Sequence, residues 1–169
     1  DRGRAKGYAG LRLGSDAEFV EVVGMEAVRR DWTDMAHQIQ RELLALLFGD
    51  APPEQIEDCI FNWICAVRAG TKDDDLVYRK SLRKTVEAYT RSTPPHVKAA
   101  RLLTNPRGVI HYVITRDGPQ PLGHISAPID YDHYVQKQIE PIVRTIAQVY
   151  SLDADAALKG ERSLFPQLI

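Results

Sequence analysis

Residues 130–150 read "DYDHYVQKQIEPIVRTIAQVY". Tyr131, Tyr134, Val135, Ile139, Ile142, Val143, Ile146 and Tyr150 recur at three- and four-residue steps, the period of an α-helix with one apolar face. Pro141 lies inside the pattern. It has no N–H to donate and its ring crowds the carbonyl four residues back, so a kink or a division into two helices is expected there. A helix with one apolar face needs something to bury that face against, and the chain upstream supplies it.

Two more helices are expected upstream. In "GMEAVRRDWTDMAHQIQRELLALLFGD" (24–50), Met35, Ile39, Leu43, Leu46 and Leu47 form a core stripe and Gly49 is the stop. The block Arg29-Arg30-Asp31-Trp32 ahead of it reads as a satisfied ion pair beside a core anchor. Pro52 and Pro53 open the next helix, with Ile56, Cys59, Ile60, Trp63, Ile64 and Val67 on one face and Gly70 ending it. The β signals are smaller. "YAGLRL" and "AEFVEVV" flank Gly14-Ser15-Asp16 and read as a hairpin. "TKDDDLVYRKSL" (71–82) is polar and then briefly β-like, and "PPHVKAARLL" (94–103) reads as a short helix. "GVIHYVIT" (108–115) is a strand bounded by Arg107-Gly108 and Asp117-Gly118-Pro119, and "SLFPQLI" (163–169) is expected to pack as a tail. The fold class predicted is mainly α with small β elements, α+β.

At 169 residues, 44% hydrophobic and 27% charged, the chain suits one soluble domain, or one domain with a piece of another. No apolar run approaches the roughly 20 residues of a membrane span, so no membrane partner is expected. Cys59 and Cys65 stand six residues apart, on different faces of a helix, and are expected to stay reduced, as in the cytoplasm. His37, His96, His111, His124 and His133 form no metal-binding spacing and read as surface or capping groups. Asp73-Asp74-Asp75 invites comparison with carboxylates that hold Mg²⁺, but it follows a helix stop in a polar stretch and reads as a solvated acidic loop. No metal site is expected in this chain.

Charge is the unusual feature. Residues 78–107 hold eight basic groups, Arg79, Lys80, Arg83, Lys84, Arg91, Lys98, Arg101 and Arg107, and one acid, Glu87. The chain as a whole is −1, so +7 here leaves 14 basic against 22 acidic groups, −8, on the rest. Solvated helix faces usually mix signs, and a row of cations without acids repels itself unless an anion compensates. Arg79, Lys80, Arg83 and Lys84 are spaced to cover a single patch, and Lys98 and Arg101 share a helix face. The expected partner is a polyanion, DNA or RNA, held through its phosphates.

"GMEAVRRDW" (24–32), "LVYRKSLRKTVEAYTRSTPPHVKAARLL" (76–103), "GVIHYVIT" (108–115) and "IDYDHYVQKQIEPIVRTI" (129–146) resemble, in this order, the C-terminal part of family B DNA polymerases. The likeness runs from about Ala5 to about Phe165 and includes "GERSLF" near the end. It implies a terminal part of the palm over residues 1–50 and a thumb domain over 51–169. The thumb of this family grips the backbone of primer–template duplex, which implies that role for Arg79, Lys80, Arg83, Lys84, Arg91, Lys98 and Arg101. The family's Lys-Lys-Arg-Tyr palm motif is matched by Ala5, Lys6, Gly7 and Tyr8, so Lys6 and Tyr8 alone carry over. The family's catalytic carboxylates and fingers lysine belong to upstream motifs, so the resemblance implies no catalytic residue here and no cofactor held by this chain, with Mg²⁺ acting in the complete polymerase. Implied partners are duplex DNA and the upstream palm, fingers and exonuclease domains; the implied location is bacterial cytoplasm, associated with the nucleoid. The hydrophobic look of the 163–169 tail adds a sliding clamp as a candidate partner, though it lacks the Gln-initiated spacing of a clamp peptide. The alternative is a free-standing interaction module that keeps the polymerase fold without catalysis, which the departures at Ala5 and Gly7 motivate.

Overall fold

The structure, a computed structural model, describes the backbone of residues 8–14 and 17–23 and the whole of residues 32–150 and 152–160. Strands β1 (Tyr8–Gly14) and β2 (Ala17–Val23) form the expected antiparallel hairpin, in register from Tyr8 opposite Val23 to Gly14 opposite Ala17. Helix α1 spans Asp34–Phe48 and α2 spans Pro53–Arg68. A 3₁₀ turn at Asp73–Leu76 leads into β3 (Tyr78–Ser81), and a second at Val86–Ala88 precedes α3 (Pro95–Ala100). Then come β4 (Val109–Thr115) and β5 (Gly118–Pro121), which complete a three-stranded antiparallel sheet in the order β3-β4-β5. The chain closes with α4 (Tyr131–Tyr134), a π-helical turn (Val135–Ile139), α5 (Glu140–Val149) and α6 (Ala154–Lys159). This is the α+β mixture expected.

The main core is where the three apolar stripes meet. Met35, Ile39 and Leu43 from α1 pack with Ile56, Ile60 and Val67 from α2 and Tyr134, Ile139, Ile142 and Ile146 from the α4–α5 helix, all buried. Full burial of one such aliphatic side chain contributes about 1.5–3 kcal/mol relative to exposure. Trp32 joins this core, so the anchor expected at the end of the Arg29-Arg30-Asp31-Trp32 block is in place; the block's ion pair lies outside the described residues. The tail at 163–169 also lies outside them.

The helix around Pro141 is divided, as expected, into α4 and α5, with a π turn over Val135–Ile139 between them. Pro141 sits in the first turn of α5, where a missing N–H is tolerated, and the backbone stays helical from Tyr131 to Val149. The reason for the π turn lies in which positions are buried. Tyr134, Val135 and the polar Gln138 lie on one helical stripe, and Ile139, Ile142, Val143 and Ile146 on another, one residue out of phase. A π turn adds one residue to the turn and brings both stripes onto the same side, so Gln138 and Ile139 are both buried. The Gln138 side-chain oxygen accepts from the Thr33 N–H and the Thr33 hydroxyl, each at 3.1 Å, while the Thr33 hydroxyl oxygen accepts from the Ala36 N–H at the start of α1. One buried amide thereby ties the widened turn to the first turn of α1.

The two helix ends differ in how the glycine is used. Helix α1 stops before Gly49, but the left-handed residue is Asp50 (φ 51°), a type that tolerates this conformation. Gly70 does adopt φ 76°, and a Cβ there would meet the Tyr131 hydroxyl at 3.0 Å, so the end of α2 requires glycine.

A candidate nucleic-acid interface

The basic segment is laid over the three-stranded sheet. Lys80 stands opposite Ile110 and Arg79 opposite His111. Paired residues share a face and successive residues alternate, so Lys80 and Arg79 point to opposite sides. The Lys80 side carries a second core: Val86, Val97, Ala99, Ala100, Ile110 and Tyr112 seal α3 and the 3₁₀ turn against the sheet. His96 of α3 is buried there, not on the surface as its sequence context suggested. Burial pushes its imidazole pKa down, and the charge of Lys80 pushes it further the same way. His96 is therefore neutral at pH 7 and adds no cation of its own.

Arg79 faces the other way. Its guanidinium donates to both carboxylate oxygens of Asp34, at 3.2 and 3.0 Å, from the first turn of α1. The expectation that Arg79, Lys80, Arg83 and Lys84 form one patch without acids is thus corrected at Arg79, whose acid partner comes from 45 residues earlier. The pair is half exposed on both sides, so its contribution to stability is about 0–1 kcal/mol.

Three of the remaining basic residues, Arg83, Lys84 and Arg101, contact Tyr89. Its hydroxyl oxygen accepts from the Arg83 backbone N–H at 3.3 Å. Lys84 Nζ lies 4.6 Å from the centre of its ring. Its carbonyl accepts from the Arg101 guanidinium at 3.4 Å, and its ring meets His96 edge-on at 6.2 Å between centroids. Arg83, Lys84, Arg91, Lys98 and Arg101 are all exposed, and none has an acid partner among the described residues. Lys98 and Arg101 share the α3 surface as expected. Arg107, absent from the candidate set, lines a groove of about 310 Å³ with Arg101, Glu87, Thr85 and Asn105; its place in the basic run was the signal for it. Tyr8 begins β1, and Lys6 lies outside the described residues.

An aromatic stack fixes this platform to the helices. The Tyr78 ring stacks between Tyr112 (5.4 Å) and Tyr134 (5.6 Å), and its hydroxyl is hydrogen-bonded to His133 Nε2 at 3.0 Å. The Tyr134 hydroxyl accepts the Ile114 N–H at 2.9 Å. Burial holds the His133 pKa below its ordinary value, with Lys137 adding to that and Asp130 opposing it. Burial likewise drives the Tyr134 phenol far above the usual range.

The acidic run has a structural use. Tyr131 donates to the Asp73 carboxylate at 3.0 and 3.2 Å, joining the 3₁₀ turn to the start of α4. Asp73 and Asp74 line a cavity of about 630 Å³ on the Arg79 side, with His111, Leu122 and Ile125. Among the described residues no group of three His, Cys, Asp or Glu side chains is placed to hold a metal ion, and no helix is long and apolar enough to cross a membrane. Both cysteines are free, Cys59 buried and Cys65 exposed. Burial and the neighbouring Glu42 push the Cys59 thiol up to about 12.

Comparison with known proteins places this arrangement in a class. The family model for DNA polymerase family B matches residues 4–149, and the chain belongs to that family. It is 36% identical to DNA polymerase II of Escherichia coli over 98% of its own length and 22% of that protein. It is 31% identical to DNA polymerase 2 of Aeropyrum pernix over 92% of its length and 20% of that protein. The solved family B DNA polymerase of Pyrobaculum calidifontis superposes with a TM-score of 0.69 at 26% identity, covering 88% of this chain and 21% of that one. The chain thus spans about a fifth of the length of these relatives.

Proposed function

We propose that the chain is the palm end (1–50) and thumb (51–169) of a DNA-directed DNA polymerase, and that its basic platform grips the backbone of primer–template duplex. The observation that carries this reading is the set of exposed cations without acid partners among the described residues, Lys80 on β3, Lys98 on α3, and Arg83, Lys84 and Arg101 in contact with Tyr89. A polymerase must hold any sequence, and phosphate contacts position a duplex without reading it. Nothing in the platform is shaped for base edges; its donors are long, flexible and charged. Arg91 belongs to the same exposed segment, and Lys6 and Tyr8 add contacts from the palm side. Two-metal nucleotidyl transfer, with Mg²⁺ held by carboxylates, would be performed by upstream domains. Family membership and the likeness to DNA polymerase II support the same reading.

The test is charge reversal. The Lys80→Glu/Lys84→Glu double variant should bind labelled duplex at least 10-fold more weakly than the parent chain at low salt. Its log–log salt slope should be shallower by about 2, since each lost phosphate contact removes roughly 0.9. Equal affinity and slope in the two proteins would overturn the reading. The purified chain should incorporate no nucleotide until the upstream palm and fingers are supplied; incorporation by the chain alone would contradict it as well.

A further inference from the structure

Tyr89 touches three of the basic residues at once. It does so through three different groups: hydroxyl to the Arg83 backbone N–H (3.3 Å), ring face to Lys84 Nζ (4.6 Å) and carbonyl to the Arg101 guanidinium (3.4 Å). The ring is held in turn. It stands half-buried at the edge of the second core, edge-on to the buried His96 of α3, and its own N–H bonds the Val86 carbonyl at 3.3 Å. His96 and Val86 are core residues, so Tyr89 is fixed from below and its contacts to the cations extend outward.

Like charges placed together repel, and long side chains lose conformational freedom when a ligand fixes them. An aromatic face opposes both effects. Its quadrupole attracts an ammonium group, and its rigid ring limits where that group can go. Arg101 cannot lose its charge, and its fork is held at one end by the Tyr89 carbonyl while other N–H groups remain for an anion. We propose that Tyr89 is the positioning residue of this platform, setting Lys84, Arg101 and the turn at Arg83 in place for consecutive phosphates before the duplex arrives. The proposal rests on the duplex-binding reading and adds a mechanism to it: the ordering cost is met on folding instead of on binding. The phosphates are contacted by the cations; Tyr89 acts through them.

The test is a double-mutant cycle on the 169-residue chain, read by duplex binding at fixed salt. Tyr89→Leu removes the ring and the hydroxyl but keeps an apolar body, and Tyr89→Phe keeps the ring. In the parent background Tyr89→Leu should weaken binding about 3- to 10-fold, the cost of ordering one or two long side chains at the moment of binding. The salt slope should hardly change, because the same phosphates are still met. Tyr89→Phe should cost about 2-fold or less. In a Lys84→Ala background, Tyr89→Leu should lose most of its effect, because the side chain it positions is gone. Equal fold-changes in the two backgrounds would overturn the proposal, as would a Tyr89→Phe as damaging as Tyr89→Leu. A second readout needs no DNA. The Lys84 ε-methylene protons should be shifted upfield by the Tyr89 ring in the parent and in Tyr89→Phe, and should return to ordinary values in Tyr89→Leu. An unshifted Lys84 in the parent would overturn the positioning role even where duplex binds well. A shifted Lys84 in a chain that binds no duplex would support the positioning role while the duplex-binding reading fails.

Discussion

The Tyr134 hydroxyl joins the sheet to the helix core, and deleting it tests how the platform is held. Tyr134 is fully buried and accepts the Ile114 N–H at 2.9 Å. Strand β3 begins at Tyr78, opposite Tyr112 and two residues short of Ile114, so the ladder offers that N–H no partner on the β3 side. In Tyr134→Phe the ring and its stacking on Tyr78 remain, and the backbone donor is left without its acceptor. Leaving this part-buried donor facing the buried Tyr134 ring costs about 1–3 kcal/mol, and a chain of this size loses about 2–4 °C of Tm per kcal/mol. A loss near 2 kcal/mol therefore gives a drop of about 4–8 °C. The control is Tyr131→Phe, whose hydroxyl donates to Asp73 at a partly exposed site and should cost under about 1 kcal/mol. Urea denaturation with constant m, together with thermal melting, reads both. A Tyr134→Phe as stable as the parent, or a Tyr131→Phe that costs more, would refute the role given to this bond.

Acid should destabilise the fold through its histidines. Burial lowers the pKa of His133, His96 and His37 from the ordinary 6.5. The unfolded chain takes up these protons first, so the stability is fully present above about pH 6.5 and is lost as pH falls toward the lower folded values. Tm should fall between pH 7.5 and 5.5, and by less in His133→Gln; equal drops would contradict this. Thiol labelling at pH 8 should modify one cysteine per native chain, Cys65, and two after denaturation, since the thiol of Cys59 is buried and pushed up to about 12. Fast modification of both in the native protein would be inconsistent with the core. Glu87 is the one acid of the basic run and lines the groove beside Arg101 and Arg107. Glu87→Gln should tighten duplex binding about 2- to 5-fold at 50 mM salt, by removing one repulsion in a high-dielectric setting; weaker binding would place the duplex elsewhere.

Periodicity made the helices legible, because each buries one face in a common core. All six apolar positions predicted for α2, Ile56 through Val67, are buried. Strand β4 was legible from its β-branched run between two turn signals. The "GPQP" of β5 was not, since two prolines and a glycine read as a turn. It is a strand because it occupies an edge, where a missing N–H is tolerated, and because the Gln120 side chain accepts the Ser126 and Ala127 N–H groups. Helix α6 is six residues long and depends on its Asp153 cap, too little pattern to detect. The π turn was not legible, because it turns on the burial of the polar Gln138 beside Ile139, which the apolar pattern does not mark. The candidate site divides the same way. Residue type and sequence crowding identified the cations, whereas the Asp34 partner of Arg79 and the three contacts of Tyr89 arise from tertiary proximity that spacing does not encode.

The central claim is that the basic platform binds duplex DNA through phosphates. Its most direct test is fluorescence anisotropy of a labelled primer–template duplex titrated with this chain at several salt concentrations, beside a single strand of equal length. The account predicts sequence-independent duplex binding, stronger than to the single strand. It also predicts a log–log salt slope of about −2.7 to −4.5, matching three to five cations at roughly −0.9 each. Binding unaffected by salt, or no duplex binding at low salt, would contradict it.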